Sequence, residues 1–381
     1  MTDKKEHYKN VISELKNASD KDHHFKDGRI LGSMCTEPIE IARKAHTLFL
    51  EANLGNPGLY PGTVGLEKEL IAMVSKLLHG KNVSGLTVSG GTESNITALW
   101  IAKKVSGKSE VIYPKSAHFS FMKAADILGL KAKEVDLTEN LQIDISEVEN
   151  KLSSNTAAVV GIAGTTEFGV IDPIEELAEL SGETFLHVDA AFGGFVIPFL
   201  KDLGYPMPSF DFEVANVDSI TIDPHKMGLA TIPSGLLLLR DAKNMEKIAV
   251  SSPYLTSPRQ ASLSGTRCSA GVASAYAAMK FLGMDGYKKI VGECMDTTKY
   301  IVGRIKEMGL EIAMEPIMNL VAIKMKSPED VKKELEKLGW KPSLTRAPKC
   351  LRIVVMPHVT REIVDEFLPD LDKVCRELGE I

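Results

Sequence analysis

Cysteine is scarce in this chain of 381 residues. Its five cysteines are scattered, and no two of them have the CxxC spacing of a thiolate zinc site. The odd count and the wide spacing also argue against a disulfide framework. We therefore expect no metal site, and we expect each cysteine to be a small buried apolar residue.

The sequence also lacks a long apolar run and an excess of positive charge. Its first ten residues, MTDKKEHYKN, have no apolar core of a secretion signal, and no later run approaches the roughly 18 apolar residues that cross a bilayer. Lysine and arginine total 45 against 51 acidic residues, a net charge of −6. We expect a cytoplasmic protein with a small-molecule substrate, and neither nucleic acid nor a membrane as partner.

Several common catalytic signatures are missing as well. The chain has no GxxxxGKS/T loop, no GxGxxG after a predicted strand, no HExxH and no GxSxG. Their absence argues against nucleotide hydrolysis on a phosphate loop and against a serine hydrolase.

What is present is the composition of a globular protein, with 44% hydrophobic and 25% charged residues. Short apolar runs alternate with helical spacing between Gly85 and Arg240, which predicts an α/β fold: a mostly parallel seven-stranded sheet with helices on both faces. The predicted strands are Leu86–Ser89, Val111–Tyr113, Ala132–Val135, Ala158–Ala163, Phe185–Asp189, Ser219–Ile222 and Leu236–Arg240. The predicted helices between them include Ser94–Val105, Ser120–Leu128 and Ile174–Ser181.

The pattern of apolar residues changes after a Pro/Ser-rich loop at Ser251–Arg267. The residues that follow this loop predict a small α+β domain towards the C-terminus. The expected elements are helices at Ala270–Phe281, Lys288–Met308, Pro328–Leu338 and Thr360–Leu378, and strands at Glu311–Met314, Leu320–Met325 and Leu351–Met356. We divide the chain into an N-terminal segment at 1–55, a large domain at 56–289 and a small C-terminal domain at 290–381.

Three short segments contain residues that could bind a ligand or take part in catalysis. In SGGTESN, which begins at Ser89, small residues at a strand-to-helix turn bring backbone N–H groups together around an anion, although such a turn is often merely structural. In HVDAAFGG, Asp189 ends a strand, where α/β proteins bind ligands; the alternative is a helix N-cap. In DPHK, Lys226 follows another strand, and burial or the adjacent His225 would lower the pKa of a nucleophilic lysine. The alternative is an ordinary surface lysine.

Together, an anion cradle, a carboxylate and a lysine are what pyridoxal 5′-phosphate requires. With these segments the sequence resembles the group II pyridoxal-phosphate-dependent amino-acid decarboxylases, which have the fold type I of aspartate aminotransferase. It is most similar in pattern to their archaeal L-tyrosine/L-aspartate decarboxylase branch, also through GRILGSMCT at 28–36 and NLGNPGLYPGT at 53–63. The resemblance runs from about residue 28 to the last helix.

The resemblance implies a role for each matching residue. Lys226 would bind the cofactor aldehyde and later act as a base, Asp189 would keep the ring nitrogen protonated, and His118 and Ala191 would pack against the two ring faces. The residues implied around the phosphate and the ring hydroxyl are Gly91, Thr92, His225 and Thr166. A neighbouring subunit would contribute Gly265 and Thr266, which makes a homodimer with shared active sites the expected state.

For the substrate, the resemblance implies that Arg352 grips the α-carboxylate; the alternative is an ordinary strand-edge arginine. Tyr254, in the long loop, would donate a proton to Cα after CO2 has left.

The expected reaction is decarboxylation of L-tyrosine to tyramine, of L-aspartate to β-alanine, or of both, in methanofuran or coenzyme A biosynthesis. Two alternatives stay open: an aldehyde lyase of the sphingosine-phosphate-lyase type, and an inactive structural or regulatory protein. The choice between tyrosine and aspartate also stays open, because Met34, Thr36 and Tyr60 cannot be placed around a ligand from sequence.

Overall fold

The computed structural model describes residues 2–381. Its helices are α1 (Thr2–Ser19), α2 (Glu40–Leu48), α3 (Pro61–Leu77), α4 (Gly91–Ser106), α5 (Ser120–Leu128), α6 (Ile145–Lys151), α7 (Ile174–Ser181), α8 (Ile197–Asp202), α9 (Lys243–Glu246), α10 (Ser269–Glu307), α11 (Pro328–Lys337) and α12 (Arg361–Leu378). Its strands are β1 (Ser84–Val88), β2 (Glu110–Pro114), β3 (Lys131–Val135), β4 (Thr156–Ile162), β5 (Phe185–Asp189), β6 (Val217–Ile222), β7 (Gly235–Leu239), β8 (Val250–Ser251), β9 (Arg259–Gln260), β10 (Leu320–Lys324), β11 (Ser343–Leu344) and β12 (Cys350–Val354).

The large sheet has seven strands in the order β1-β7-β6-β5-β4-β2-β3. All neighbouring strands are parallel except at β7, which is antiparallel to both β1 and β6. The predicted mostly parallel α/β sheet is therefore confirmed, and each of the seven strands predicted for it overlaps an observed one.

Helices cover this sheet on both faces because neighbouring residues of each strand point in opposite directions. Ile112 and Leu186 belong to one apolar core, whereas Val111 and Phe185, one residue earlier in each strand, belong to the other. Helix α4 supplies Leu99 and its neighbours to the second core. The polar residues of α4 on the same side are thereby held against the ends of the strands.

The two helices predicted after the long loop form one element, α10, in which Gly283 interrupts the helical backbone with a φ of 57°. A left-handed φ of this size is one that glycine adopts without strain. The proposed division between residues 289 and 290 falls inside this helix, and the domain boundaries remain predictions.

The C-terminal part contains an antiparallel sheet in the order β10-β12-β11. The strand predicted at Glu311–Met314 is wrong, because only an isolated bridge joins Ile312 to Ile323 there. The N-terminal segment runs along this sheet: the amide of Val354 donates to the Leu31 carbonyl at 2.7 Å. These contacts bring the GRILGSMCT segment next to β12.

The five cysteines differ in how deeply they are buried. Cys294, Cys350 and Cys375 are buried as expected, but Cys268 is exposed and Cys35 half-buried, so the expectation is wrong for these two. Among residues 2–381, no helix combines the length and the apolar character that a membrane crossing requires.

Candidate active site

A cavity of about 350 Å³ opens where strands of the large sheet reach their carboxyl ends. This is the edge at which open α/β sheets bind ligands. Eight of the residues singled out in the sequence line the cavity: Gly91, Thr92, His118, Thr166, Asp189, Ala191, His225 and Lys226.

The start of α4 forms one wall of the cavity. No side chain caps this helix, so its first N–H groups are left for a ligand at the positive end of the helix dipole. A Cβ atom on Gly91 would lie 3.0 Å from Asp223 Oδ2 and 3.3 Å from the Ala191 Cβ, which is too close for an ordinary contact. The wall therefore requires glycine, and His225 packs beside it, 3.1 Å from where a Cβ of Gly90 would be.

Asp189 lies at the end of β5 and is 6% exposed. Its Oδ1 accepts a hydrogen bond from the Ala191 amide at 3.0 Å, and its Oδ2 accepts one from Asn95 Nδ2 at 2.8 Å. These two hydrogen bonds fix the plane of the carboxylate. The remaining lone pairs are available to a protonated ring nitrogen in the cavity.

Lys226 extends into the same cavity, with its Nζ 3.2 Å from Asp223 Oδ2. Burial lowers the pKa of this amine, but Asp223 and Asp189 raise it, and the net shift is upward. The expected fall in the pKa is therefore wrong for the chain without a ligand. His225 does not cause one either, because its Nε2 faces the Asp223 carboxylate at 3.8 Å.

His118 follows β2 and lines the cavity beside Phe119. Its Nδ1 lies 3.0 Å from the Ser120 hydroxyl. Burial lowers the pKa of this imidazole more than the nearby Asp189 raises it, so the ring is neutral at neutral pH.

Arg352, on β12, is 5% exposed and is not among the residues that line the cavity. Its Nη1 donates to the Gly32 carbonyl at 3.0 Å and to the Ser343 hydroxyl at 2.9 Å, but its buried Nε and Nη2 have no acceptor. Burial lowers the pKa of Arg352 to about 10, which Glu167 partly offsets, so the guanidinium stays charged. Two unpaired donors on a buried cation are costly unless a ligand uses them.

The long loop carries the three remaining residues. Tyr254 is 83% exposed and lies outside the cavity lining. Gly265 and Thr266 are also exposed, although the loop is anchored on both sides of them: Ser264 donates to Glu93 at 2.8 Å, and Arg267 pairs with Glu67. The structure thus presents this dipeptide on the surface of the chain.

Some residues of the site were not identified from the sequence. Asp223, Asn95 and His187 stand inside the quoted segments, but only the fold shows that the first pairs with Lys226 and that the other two lie behind Asp189. Ser116 was missed altogether: it lines the cavity and its buried hydroxyl has no partner. Its position two residues before His118 was the available signal.

This arrangement fits pyridoxal phosphate. The cavity places an amine, a carboxylate and an uncapped helix N-terminus around one space, which matches the aldehyde, the ring nitrogen and the phosphate of that cofactor. Lys226, Asp189 and the Gly91–Thr92 turn are the groups that would hold them.

Comparisons with known proteins agree with this chemistry. The family model "pyridoxal-dependent decarboxylase conserved domain" matches residues 56–326. A probable L-aspartate decarboxylase of Archaeoglobus fulgidus is 46% identical over 370 residues, covering 96% of this chain and 99% of the relative. A probable L-tyrosine/L-aspartate decarboxylase of Methanothrix thermoacetophila is 47% identical over 355 residues, covering 92% and 91%.

Two further similarities concern function and fold. The L-aspartate/L-glutamate decarboxylase of Pyrococcus horikoshii is 46% identical over 371 residues and is covered to 96%, as is this chain. The solved structure of a sphingosine-1-phosphate lyase of Burkholderia pseudomallei superposes with a TM-score of 0.90 at 26% identity, over 97% of this chain and 90% of that one. The chain therefore belongs to the pyridoxal-dependent decarboxylase family, and it is an amino-acid carboxy-lyase that uses pyridoxal phosphate.

Proposed function

We propose that this enzyme removes the α-carboxylate of L-aspartate and releases CO2 and β-alanine. The observation that carries the proposal is Arg352, a buried cation with two unused donors in planar array. A guanidinium of this kind suits bidentate binding of a carboxylate. Glu167, which raises the pKa of Arg352, follows Thr166 of the cavity wall in the sequence, and this proximity supports a carboxylate site beside the proposed cofactor site.

The residues of the chain divide the work of the reaction. Pyridoxal phosphate, when bound, supplies an electron sink for the pair of electrons left when the bond between Cα and the carboxylate breaks. Lys226 would hold the cofactor through its amine and would also act as a base. Asp189 would accept a hydrogen bond from the protonated ring nitrogen, and His118 and Ala191 would pack against the ring. One proton added to Cα completes the balance, since CO2 leaves without one.

The choice of aspartate rests on the relatives. Aspartate occurs in the names of all three relatives described above, whereas tyrosine and glutamate each occur in one. L-Tyrosine, with tyramine as its product, is the second candidate. We further propose that β-alanine made here serves coenzyme A synthesis, or that tyramine serves methanofuran synthesis.

The decisive experiment is incubation of the holoenzyme with each of the twenty amino acids while CO2 is measured. CO2 from aspartate above all others supports the proposal, and CO2 from tyrosine alone moves the assignment to the second candidate. The Lys226→Ala variant is the control for uncatalysed release. A lack of CO2 from every amino acid would overturn the proposal.

An aldehyde lyase is the alternative reaction, because the lyase of Burkholderia pseudomallei has nearly the same fold. The same preparation incubated with sphingosine 1-phosphate would then release a long-chain aldehyde and no CO2. If neither reaction occurs in holoenzyme with an intact cofactor spectrum, the remaining interpretation is that the chain is an inactive structural or regulatory protein.

We also propose that two copies of the chain share their active sites. The exposure of Gly265 and Thr266, on a loop anchored to α4 and α3, supports this proposal, in which they would reach the phosphate site of a neighbouring copy. Mixing Lys226→Ala with Thr266→Trp tests this: refolded heterodimers contain one intact site, so about a quarter of all sites regain activity. Recovery would not occur if each site were built from one chain.

A further inference from the structure

We propose that Asn95 is a positioning residue that orients both the Asp189 carboxylate and the His118 ring. The buried hydrogen bonds that connect Asn95 to His118 fix the proton of His118 on Nε2. This N–H group is a hydrogen-bond donor to the cavity. The proposal concerns the chain with or without the cofactor, and only its activity readout rests on the proposed decarboxylation.

The topology of the sheet creates the network. His187 and Asp189 are two residues apart on β5, so both side chains point to the same face of the sheet. On the neighbouring strand β6, Ser219 is opposite His187 and Thr221 is opposite Asp189. Helix α4 covers this face and places Asn95 in the middle of the four side chains.

Hydrogen-bonding capacity decides how the Asn95 amide is turned. Its Nδ2 donates one hydrogen to Asp189 Oδ2 at 2.8 Å and the other to the Ser120 hydroxyl at 3.0 Å. Its Oδ1 accepts from the Thr221 hydroxyl at 2.7 Å and from His187 Nε2 at 3.0 Å. A carboxylate accepts hydrogen bonds and cannot donate them, so the opposite orientation would set Oδ1 against Asp189.

The orientation of the Asn95 amide in turn sets the tautomer of His187. Because Asn95 Oδ1 only accepts, His187 Nε2 must carry the proton, and Nδ1 then accepts from the Ser219 hydroxyl at 2.8 Å. Burial lowers the pKa of His187 to about 4, which Asp189 partly offsets, so the ring is neutral near pH 7 and has one proton to place.

Ser120 passes the same constraint to His118. Its oxygen accepts from Asn95, and the same hydroxyl lies 3.0 Å from His118 Nδ1. The Ser120 amide, which can only donate, points at this nitrogen at 3.3 Å and makes it an acceptor. The Ser120 hydroxyl therefore donates to His118 Nδ1, and the proton of the neutral ring lies on Nε2. Asn95 thus orients the Asp189 carboxylate directly and the His118 ring through the Ser120 hydroxyl.

Neutron diffraction from deuterium-exchanged crystals of the cofactor-free protein reads the proton positions directly. We expect deuterium on Nε2 of both His118 and His187 and none on their Nδ1 atoms. Deuterium on Nδ1 of His118 would overturn the assignment of its tautomer.

The second arm compares Asn95→Ala with Asn319→Ala. Asn319 is equally buried, donates to the Val355 carbonyl and does not line the cavity, so its variant reports the cost of losing any buried amide. We expect Asn95→Ala to weaken pyridoxal phosphate binding about tenfold or more relative to that control. We also expect a shift in the pH at which the bound cofactor changes its absorbance. Equal cofactor affinities and equal pH profiles in the two variants contradict a positioning role.

These readouts stand apart from the proposed function. If wild-type protein binds the cofactor, shows the expected deuterium positions and yet releases no CO2 from any amino acid, the decarboxylation fails while the positioning role holds. If CO2 is released and Asn95→Ala behaves like Asn319→Ala, the reverse is true.

Discussion

The hydrogen-bond network of Asp189 and Asn95 and the guanidinium of Arg352 differ in how completely their polar groups are satisfied, although Ser116 and Asp223 on the large-sheet side also keep an unpaired buried oxygen. On the large-sheet side, both oxygens of Asp189 and all four positions of the Asn95 amide have partners within the chain. On the small-sheet side, Arg352 keeps two buried donors without acceptors. A buried polar group without a partner costs roughly 1–3 kcal/mol. The difference teaches that the groups proposed to bind the cofactor are prearranged within the chain, whereas the group proposed to bind the substrate keeps donors for a carboxylate.

The largest effect is expected at Lys226, the residue proposed to hold the cofactor covalently. Lys226→Ala removes the amine proposed to bind the cofactor aldehyde, and we expect activity to fall roughly a thousandfold or more. Absorbance spectra after dialysis and after borohydride check this, because the wild type should lose its colour only on reduction. A persistent colour in dialysed Lys226→Ala would contradict the covalent role.

Arg352→Gln tests the small-sheet side of the site, where the guanidinium has two buried donors without acceptors. It removes the charge and the two unused donors, and charge-assisted hydrogen bonds of this kind are worth roughly 1.5–3 kcal/mol. We expect KM for the amino acid to rise by about one to two orders of magnitude while cofactor affinity stays unchanged. Steady-state kinetics and cofactor titration measure the two quantities. The matched control is Arg361→Gln, since Arg361 stacks on the ring of Tyr300 away from the cavity.

A loss of cofactor affinity in Arg352→Gln would erase the distinction between the two sides. Equal KM values in Arg352→Gln and Arg361→Gln would leave the unpaired donors without a function.

Much of the fold could be predicted because central parallel strands, buried on both faces, are continuous apolar runs. Strand β5 is buried throughout, and its bounds agree with the prediction at both ends. The strand expected at Glu311–Met314 fails for the opposite reason: its residues are mostly half-buried or exposed, and a single bridge does not make a strand. Helix α1, which is exposed from residue 4 to residue 19 except at the half-buried Ile12, has too weak an apolar pattern to be predicted.

The parts of the site that follow from local sequence were also predictable. Asp189 ends β5 and Lys226 follows β6 after a short turn, and the sheet brings them to one cavity. The partners of these residues were not predictable, because they depend on strand register and on the turn of α4. The sequence placed His225 next to Lys226, but the turn after β6 brings Asp223 to the amine instead, and this reverses the expected direction of its pKa.

Tyr254→Phe tests the proposed donation of a proton to Cα after CO2 has left. The side chain is 83% exposed, so it reaches a cavity only by movement of its loop or by serving a neighbouring subunit. Removing the phenol oxygen removes the proposed proton donor, and we expect amine formation to slow by about one to two orders of magnitude, with aldehyde appearing as a side product. Quantifying both products by chromatography checks this, and an unchanged product ratio and rate would remove the assigned role.

His187→Gln tests the large-sheet side of the site through the free energy of unfolding, and its expected effect is the smallest. The buried ring has a pKa of about 4 against its ordinary value of 6.5, so the unfolded chain binds a proton there that the folded chain refuses. This contribution to stability is fully present above pH 6.5 and is lost as the pH falls towards 4. The glutamine amide donates to Asn95 and accepts from Ser219 as the histidine does, but it does not titrate.

The free energy of unfolding should therefore fall less in His187→Gln than in the wild type when the pH is lowered from 7.5 to 5.5. We expect a difference of about 1–2 kcal/mol, close to a tenfold change in the unfolding equilibrium. Urea denaturation of the cofactor-free proteins at both pH values measures it, and His46→Gln is the control, because His46 bonds the Thr231 hydroxyl outside the cavity. Parallel losses in all three proteins would mean that His187 is not held neutral, and the large-sheet side would then lose the proton arrangement on which Asn95 depends.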